Sequence, residues 1–332
     1  MEISVVIPSF NNCRVLRRTL DHLAAQTFPH DRYEVIVADD GSTDGTEDMV
    51  RTYPFPGTLR YVAHRHGGFA ATENLGVRSA RGRVILFVDS DFWVEPGLLA
   101  AHHCHYPAGA RGIAVQGITT GIHPDALATP FMRVKLLTLD LTVRRRHRMS
   151  PHHVVNRNLS MLKADFDAAG GLDEAMRGYG YEDLDLALRM TAAGVILEFE
   201  PEARGVHYHV ETLADVERKQ YGAGWSAVYV WRKHRRSRRL GFFLEILPWM
   251  LPLKWLVYRT PLVIPALRRL VPIGERRNWL WILNECYKNL LQAAFYRGVF
   301  EALRTPPGAR APAPEDLPAP APARGSPRYG HR

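Results

Sequence analysis

Two aspartates, Asp89 and Asp91, follow the apolar run Val84-Ile85-Leu86-Phe87-Val88 with one small residue, Ser90, between them. A strand ending there lets both carboxylates turn toward one point, and paired hard oxygen donors suit Mg²⁺ or Mn²⁺ holding a diphosphate. Solvated turns are also rich in Asp, so the triplet draws its weight from its place after a buried strand. The segment Asp39-Asp40-Gly41-Ser42-Thr43-Asp44-Gly45-Thr46 offers a carboxylate to a base or a ribose. It reads equally as a turn in which Asp44 or Thr46 caps the next helix. Glu182-Asp183-Leu184-Asp185 opens a helical pattern. The macrodipole there favours an ionised carboxylate, which can take a proton as general base, although acidic first turns are ordinary in helices. Gly178-Tyr179-Gly180-Tyr181 comes just before it and combines glycines that free the backbone with ring faces for a sugar or a lipid headgroup. His207 and His209 alternate onto one face of an extended segment, and His207 alone can complete a metal site begun by the aspartates. His102-His103-Cys104-His105 does not read as a ligand set, because consecutive residues on a helix point around its circumference.

These residues need elements to position them. Short apolar runs alternate with helical patterns: Ile3 to Ile7, then Val15 to Ala25; Val35 to Ala38, then Thr46 to Tyr53; Leu59 to Ala63, then Ala70 to Ala80; and Val84 to Val88. Continuous runs are strands buried on both faces, so this βαβαβαβ order implies an α/β fold with a mostly parallel central sheet flanked by helices. Ligands then bind at the carboxyl ends of the strands. Pro8-Ser9-Phe10-Asn11, Asp39 to Ser42, His64 to Gly68 and Asp89 to Asp91 all stand there. Neither GxGxxG after the first strand nor GxxxxGK[ST] occurs, so neither a dinucleotide fold nor a P-loop is supported. Residues 92 to 155 read as less regular, and a helix starts near Glu182.

Composition divides the chain near residue 215. Of the 332 residues, 1–215 carry 22 Lys+Arg against 27 Asp+Glu, whereas 216–332 carry 21 against 7. The acidic front argues against a nucleic-acid binder. The basic back includes six cations in Arg232 to Arg239, followed at once by Leu240-Gly241-Phe242-Phe243 and the rest of an apolar, proline-broken stretch to Pro272. Cations beside aromatic and apolar residues fit an anionic membrane surface, on the cytoplasmic face. A span is disfavoured by Glu245, Lys254, Pro248 and Pro252. An amphipathic helix from Trp279 to Leu303 follows, and the last 28 residues, with eight prolines, read as a disordered tail. Three widely spaced cysteines and a start with no signal-like segment suit a reducing, cytoplasmic setting.

Taken in order, several motifs give the first two-thirds of the chain its resemblance: Val5-Val6-Ile7-Pro8-Ser9-Phe10-Asn11, Val37 to Thr46, Phe87-Val88-Asp89-Ser90-Asp91, Asn158-Leu159-Ser160, Gly170 to Glu174 and Glu182 to Arg189. Over roughly residues 2–210 the chain resembles the inverting family-2 glycosyltransferases of the GT-A fold. That resemblance implies a GT-A catalytic domain over 1–215, to which composition adds a basic helical region over 216–304 and a tail over 305–332. It implies a nucleotide sugar, foremost a UDP-sugar, bound by Pro8, Ser9, Asn11, Arg65, Asp40 at the base and Asp89 at the ribose. It assigns Mn²⁺ or Mg²⁺ to Asp91 with His207, general-base catalysis to Asp183, and contacts to donor sugar or acceptor to Asn158, Tyr181 and Glu182. The acceptor expected is a glycan or a lipid-linked carrier in envelope glycan synthesis. Where relatives often carry Arg-Asn this chain has Glu73-Asn74, so a phosphate contact passes to Arg65 or Arg78 or is lost. A nucleotidyltransferase acting on sugar phosphates and a noncatalytic nucleotide-sugar binder are the alternatives.

Overall fold

The computed structural model describes residues 1–138, 148–176, 179–208, 210–259 and 262–306. Most of the Arg144 to Arg148 run, His209 and the proline-rich tail past residue 306 lie outside the described residues. The chain forms two compact units. One comprises Met1–Asp125, Asp140–Ala175 and Glu182–His209, the other Ala126–Leu139, Met176–Tyr181 and Val210–Arg332. The second unit therefore draws two short segments from within the acidic front of the sequence.

In the first unit the alternating pattern holds: β1 (Ile3–Ser9), α1 (Cys13–Ala24), β2 (Tyr33–Asp39), α2 (Thr46–Thr52), β3 (Thr58–Ala63), α3 (Phe69–Ser79) and β4 (Val84–Phe87). Strands β3, β2, β1 and β4 lie side by side and parallel. Every residue of β1 and β2 is buried, as continuous apolar runs require. Ile3, Val5 and Ile7 face Leu16, Leu20 and Leu23 on one side, while Val6, Ile85 and Phe87 join the opposite cluster. Helix α3 lies so close over β1 that a Cβ on Gly76 would come within 2.3 Å of Val6 Cγ1.

Beyond β4 the sheet departs from the parallel expectation. It continues through β5 (Phe92–Val94), α4 (Leu98–His103), β6 (Ile113–Ile122), then β7 (Leu159–Leu162), α6 (Lys163–Ala168), α7 (Glu182–Ala192) and β8 (Ile196–His207), with α5 (Pro130–Thr138) contributed to the second unit. The eight strands run in the order β3-β2-β1-β4-β7-β6-β8-β5. Strand β7 is antiparallel to both β4 and β6, β8 is parallel to β6, and β5 is antiparallel to β8. The stretch read as irregular thus holds a ten-residue strand; Gly117, Gly121 and two register shifts break the apolar signal of β6.

The second unit is helical: α5, α8 (Leu213–Lys233), α9 (Arg238–Phe243), α10 (Leu251–Arg259), α11 (Val263–Arg277) and α12 (Leu280–Arg304). Thr212 and Asp215 form a capping box at the start of α8. Helices α8 and α12 touch backbone to backbone, since a Cβ on Gly224 would fall 2.1 Å from Phe295 O and one on Gly298 2.1 Å from Tyr221 O. Among the described residues no helix is long and apolar enough to cross a membrane.

Candidate active site

The carboxyl end of β4 is turned by α1. Asn12 Nδ2 donates to Ser90 Oγ at 2.9 Å and Thr19 Oγ1 to Ser90 O at 2.7 Å, so the residue between the two aspartates is held by the helix. Strand β5 then pairs with β8, setting Phe92 opposite His207, and Tyr208 N donates to Asp91 O at 2.8 Å. Gly205 allows this approach: a Cβ there would sit 2.4 Å from the Phe92 ring. The result brings His207 Nε2 to 3.1 Å from Asp91 Oδ1, and the ligand atoms of Asp89, Asp91 and His207 all lie within 4.8 Å of one another. Burial lowers the His207 pKa, favouring the neutral imidazole with a lone pair to offer, although Asp91 opposes this. Two carboxylates and one neutral imidazole fit Mn²⁺ or Mg²⁺ by their chemistry.

Arg157, which the sequence reading passed over, is the cation of this cluster: its Nε donates to Asp89 Oδ2 at 2.9 Å. Beside it Glu73 is fully buried and accepts from Asn156 Nδ2 at 2.7 Å. Burial, followed by the charges of Asp89 and Glu182, raises its pKa well above the usual carboxylate value. Arg65 lies exposed in the loop after β3, and Arg78 pairs with Glu174 at 3.2 Å. Asn74 pins the 171–174 turn through Leu172 and Glu174.

At the start of α7 the three acids separate by environment. Asp185 is fully buried and bound by Arg189 at 2.8 Å, a structural pair. Asp183 accepts from Leu184 N at 2.7 Å, and burial pushes its pKa up to about 6, against the pull of Arg157. Glu182 is partly buried and contributes to the shift at Glu73. Tyr181, in the second unit, adopts φ +70° directly after Gly180 at φ +82°.

The other strand ends are tied together. Asn11 N donates to Ser42 Oγ and Thr43 N to Asn11 Oδ1, both at 2.8 Å, joining the loops after β1 and β2. Asp44 accepts from Thr46 and from Cys13 N, but neither it nor Thr46 is the cap of α2; that position is Gly45, at φ 86°. Asp40 accepts from Gly67 N at 2.7 Å and Gly68 N at 3.2 Å and faces His64 and His66, so the expected base reader also anchors the loop after β3. Ser9 is buried beside it after Pro8, its Oγ without a hydrogen-bond partner among the described residues. Phe10, 48% exposed, stands with its ring 4.7 Å from that of His66, an aromatic edge that no motif indicated.

Asn158 is placed away from the role expected of it. Its side chain donates to Ala203 O at 2.8 Å and bonds His102 Nε2 at 2.7 Å, clamping strands together behind the site. His102 is buried, and burial lowers its pKa to about 4. Its neighbours point elsewhere, yet Cys104, His105 and Glu200 do bring donor atoms within 4.8 Å, with each His105 ring nitrogen facing a glutamate.

Residues 4–156 match the family model described as glycosyl transferase family 2, and residues 152–212 that of the N-terminal domain of galactosyltransferase. Residues 4–156 carry the family-2 glycosyltransferase domain. Its fold is of the GT-A type. A validoxylamine A glucosyltransferase of Streptomyces hygroscopicus subsp. jinggangensis is 33% identical over 235 residues, 61% of this chain and 54% of that protein. The chain thus spans about half the length of such relatives. Among solved structures, the mannosyltransferase PcManGT from Pyrobaculum calidifontis, in complex with GDP-Man and Mn²⁺, aligns with a TM-score of 0.56 at 19% identity over 91% of this chain and 87% of that one. S. aureus TarS 1-349 in complex with UDP aligns at 0.51 and 18% identity, over 88% and 92%.

Proposed function

We propose that this glycosyltransferase moves a sugar from a nucleoside diphosphate sugar, foremost a UDP-sugar, to an acceptor hydroxyl with inversion at the anomeric carbon. The convergence of Asp89, Asp91 and His207 around Arg157, on the sheet edge that also presents Asp183, carries this reading. UDP in the TarS complex and GDP-Man with Mn²⁺ in PcManGT support a nucleotide sugar and a divalent cation. In this reading Phe10 and His66 offer ring faces to the base, and Asp40 accepts from its edge. Asp89, held by Arg157, meets the ribose. Asp91 and His207 would hold Mn²⁺ or Mg²⁺, and the cation would supply positive charge to offset that of a diphosphate leaving group. Asp183 takes the proton of the acceptor hydroxyl as that oxygen attacks.

The test is a screen of nucleotide sugars for nucleoside diphosphate release, with and without Mn²⁺. Metal-dependent hydrolysis of one donor is expected. Release of pyrophosphate from a nucleoside triphosphate and a sugar phosphate would instead make the chain a nucleotidyltransferase, and binding of UDP without turnover a noncatalytic relative.

The helical region over 216–304 is assigned, in the same proposal, to the surface of an anionic membrane. Phe242, Trp249 and Trp281 are 62%, 70% and 75% exposed, and Arg235, Arg236, Arg238 and Arg239 are exposed in the same unit. Aromatic anchors among cations complement a negatively charged lipid interface.

A further inference from the structure

A cavity of about 740 Å³ lies wholly within the second unit, walled by α5, residues 179–181, α8, the end of α9 and α12. That volume is in the range of small-molecule clefts, roughly 300–1,000 Å³. Its walls are of two kinds. Aromatic side chains come from Phe131, Tyr179, Tyr181, Tyr287, Phe295 and Tyr296. Between them stand the amides of Gln220, Asn284 and Gln292 and the ammonium groups of Lys135, Lys219 and Lys288. A purely apolar occupant would strip water from those polar groups without replacing it.

The charges on the walls do not cancel. Glu211, 5% exposed, receives both Lys135 and Lys219, the latter at 2.8 Å, so one carboxylate serves two cations. Glu245 is matched by Lys254 at 2.8 Å. Lys288 also acts on Glu245, which leaves the wall with three lysines against two glutamates, and Lys219 Nζ stands 5.0 Å from the centre of the Tyr179 ring. Tyr181 reaches the cavity from a left-handed backbone conformation at φ +70°, a strained state for a tyrosine of the kind that gathers at ligand sites. In the chain Tyr181 is followed at once by Glu182 and Asp183.

We propose that this cavity receives the acceptor, and that the acceptor is a glycan or polyol bearing an anionic group, phosphate or carboxylate. The carbon-bound face of the sugar or polyol lies on the tyrosine rings, its hydroxyls meet the amides, and its anion faces the lysines. The assignment rests on the reading of the chain as a sugar transferase acting on a nucleotide sugar.

Calorimetry on the full chain tests it, with three soluble probes at low and high salt: a short glycerol phosphate oligomer, an oligomer of glucuronate, and maltotriose. One anionic probe is expected to bind at least tenfold more tightly than maltotriose, and which one it is decides between phosphate and carboxylate. Lys288→Gln should weaken that probe about tenfold and flatten its salt dependence, and Lys288→Arg should restore both. Tyr179→Ala, at a position 48% exposed where truncation spares the core, should weaken all polyol binding. Equal affinity for neutral and anionic probes, or no effect of Lys288→Gln, overturns the proposal. So does binding to phosphatidylglycerol vesicles with none to the soluble probes. Donor hydrolysis by the same protein separates the two readings: hydrolysis without probe binding defeats the cavity assignment alone, and probe binding without hydrolysis of any donor defeats the donor reading alone.

Discussion

In the proposed reading Asp91 is the carboxylate that bridges protein and diphosphate, because His207 reaches it at 3.1 Å while Asp89 is engaged by Arg157. Asp91→Ala should therefore abolish Mn²⁺-dependent UDP binding; calorimetry that finds the affinity intact would remove the metal from this site. Asp183→Asn keeps the size of the side chain but cannot accept a proton, so turnover should fall about a hundredfold or more with UDP binding preserved. The pH profile supplies an independent check. With its pKa raised to about 6, Asp183 is ionised only above that value, and kcat/KM should rise through pH 6 and level off. The sign for stability is the reverse. A carboxyl whose pKa is raised on folding favours the folded state below its unfolded value near 4, and that contribution is lost as pH climbs through 6. Asp183→Asn should accordingly melt higher than the parent at pH 8, by an amount worth up to about 3 kcal/mol, and show no such gain at pH 4.

At the scale of elements, the first four strands and three helices were legible because each is a continuous apolar run or a 3.6-residue pattern bounded by turn residues. The βαβ order also put Asp40, Asp89 and Asp91 on one edge before any coordinates did. Strand β6 and the first part of β8 were not legible, although the end of β8 at His207 reads as extended. Gly117, Gly121 and paired threonines dilute β6, and β8 carries Glu198, Glu200 and Glu202 along a half-buried face. Without them the pairing of β5 with β8 that delivers His207 cannot be seen, nor the clamp role of Asn158. Arg157 was missed for a related reason: a single Arg before a short strand carries no periodic signal, and only tertiary contact with Asp89 reveals its use. Helix α1 shows what the legible pattern is worth. Leu20 is fully buried against β1, so Leu20→Ala should cost about 2–5 kcal/mol in denaturant unfolding, while the exposed Arg18→Ala on the same helix should change it by less than about 0.5.

For the whole molecule the question is where it works, and the charge run of the second unit gives a test. Arg232 is not available to lipid, since its guanidinium donates to the Leu303 and Thr305 carbonyls at the end of α12. Arg235, Arg236, Arg238 and Arg239 are exposed. Each cation near an anionic leaflet contributes roughly 1 kcal/mol. Replacing these four by Gln should then weaken binding to phosphatidylglycerol vesicles by some two to three orders of magnitude and leave Arg232 to hold α8 against α12. Trp249→Ser and Trp281→Ser should weaken binding even to vesicles at high salt, because burial of a ring in the interface does not depend on screening. The two sets of variants separate the electrostatic from the apolar part of the contact. Cosedimentation that is indifferent to lipid charge, to salt and to both sets would place this apolar surface against a protein instead.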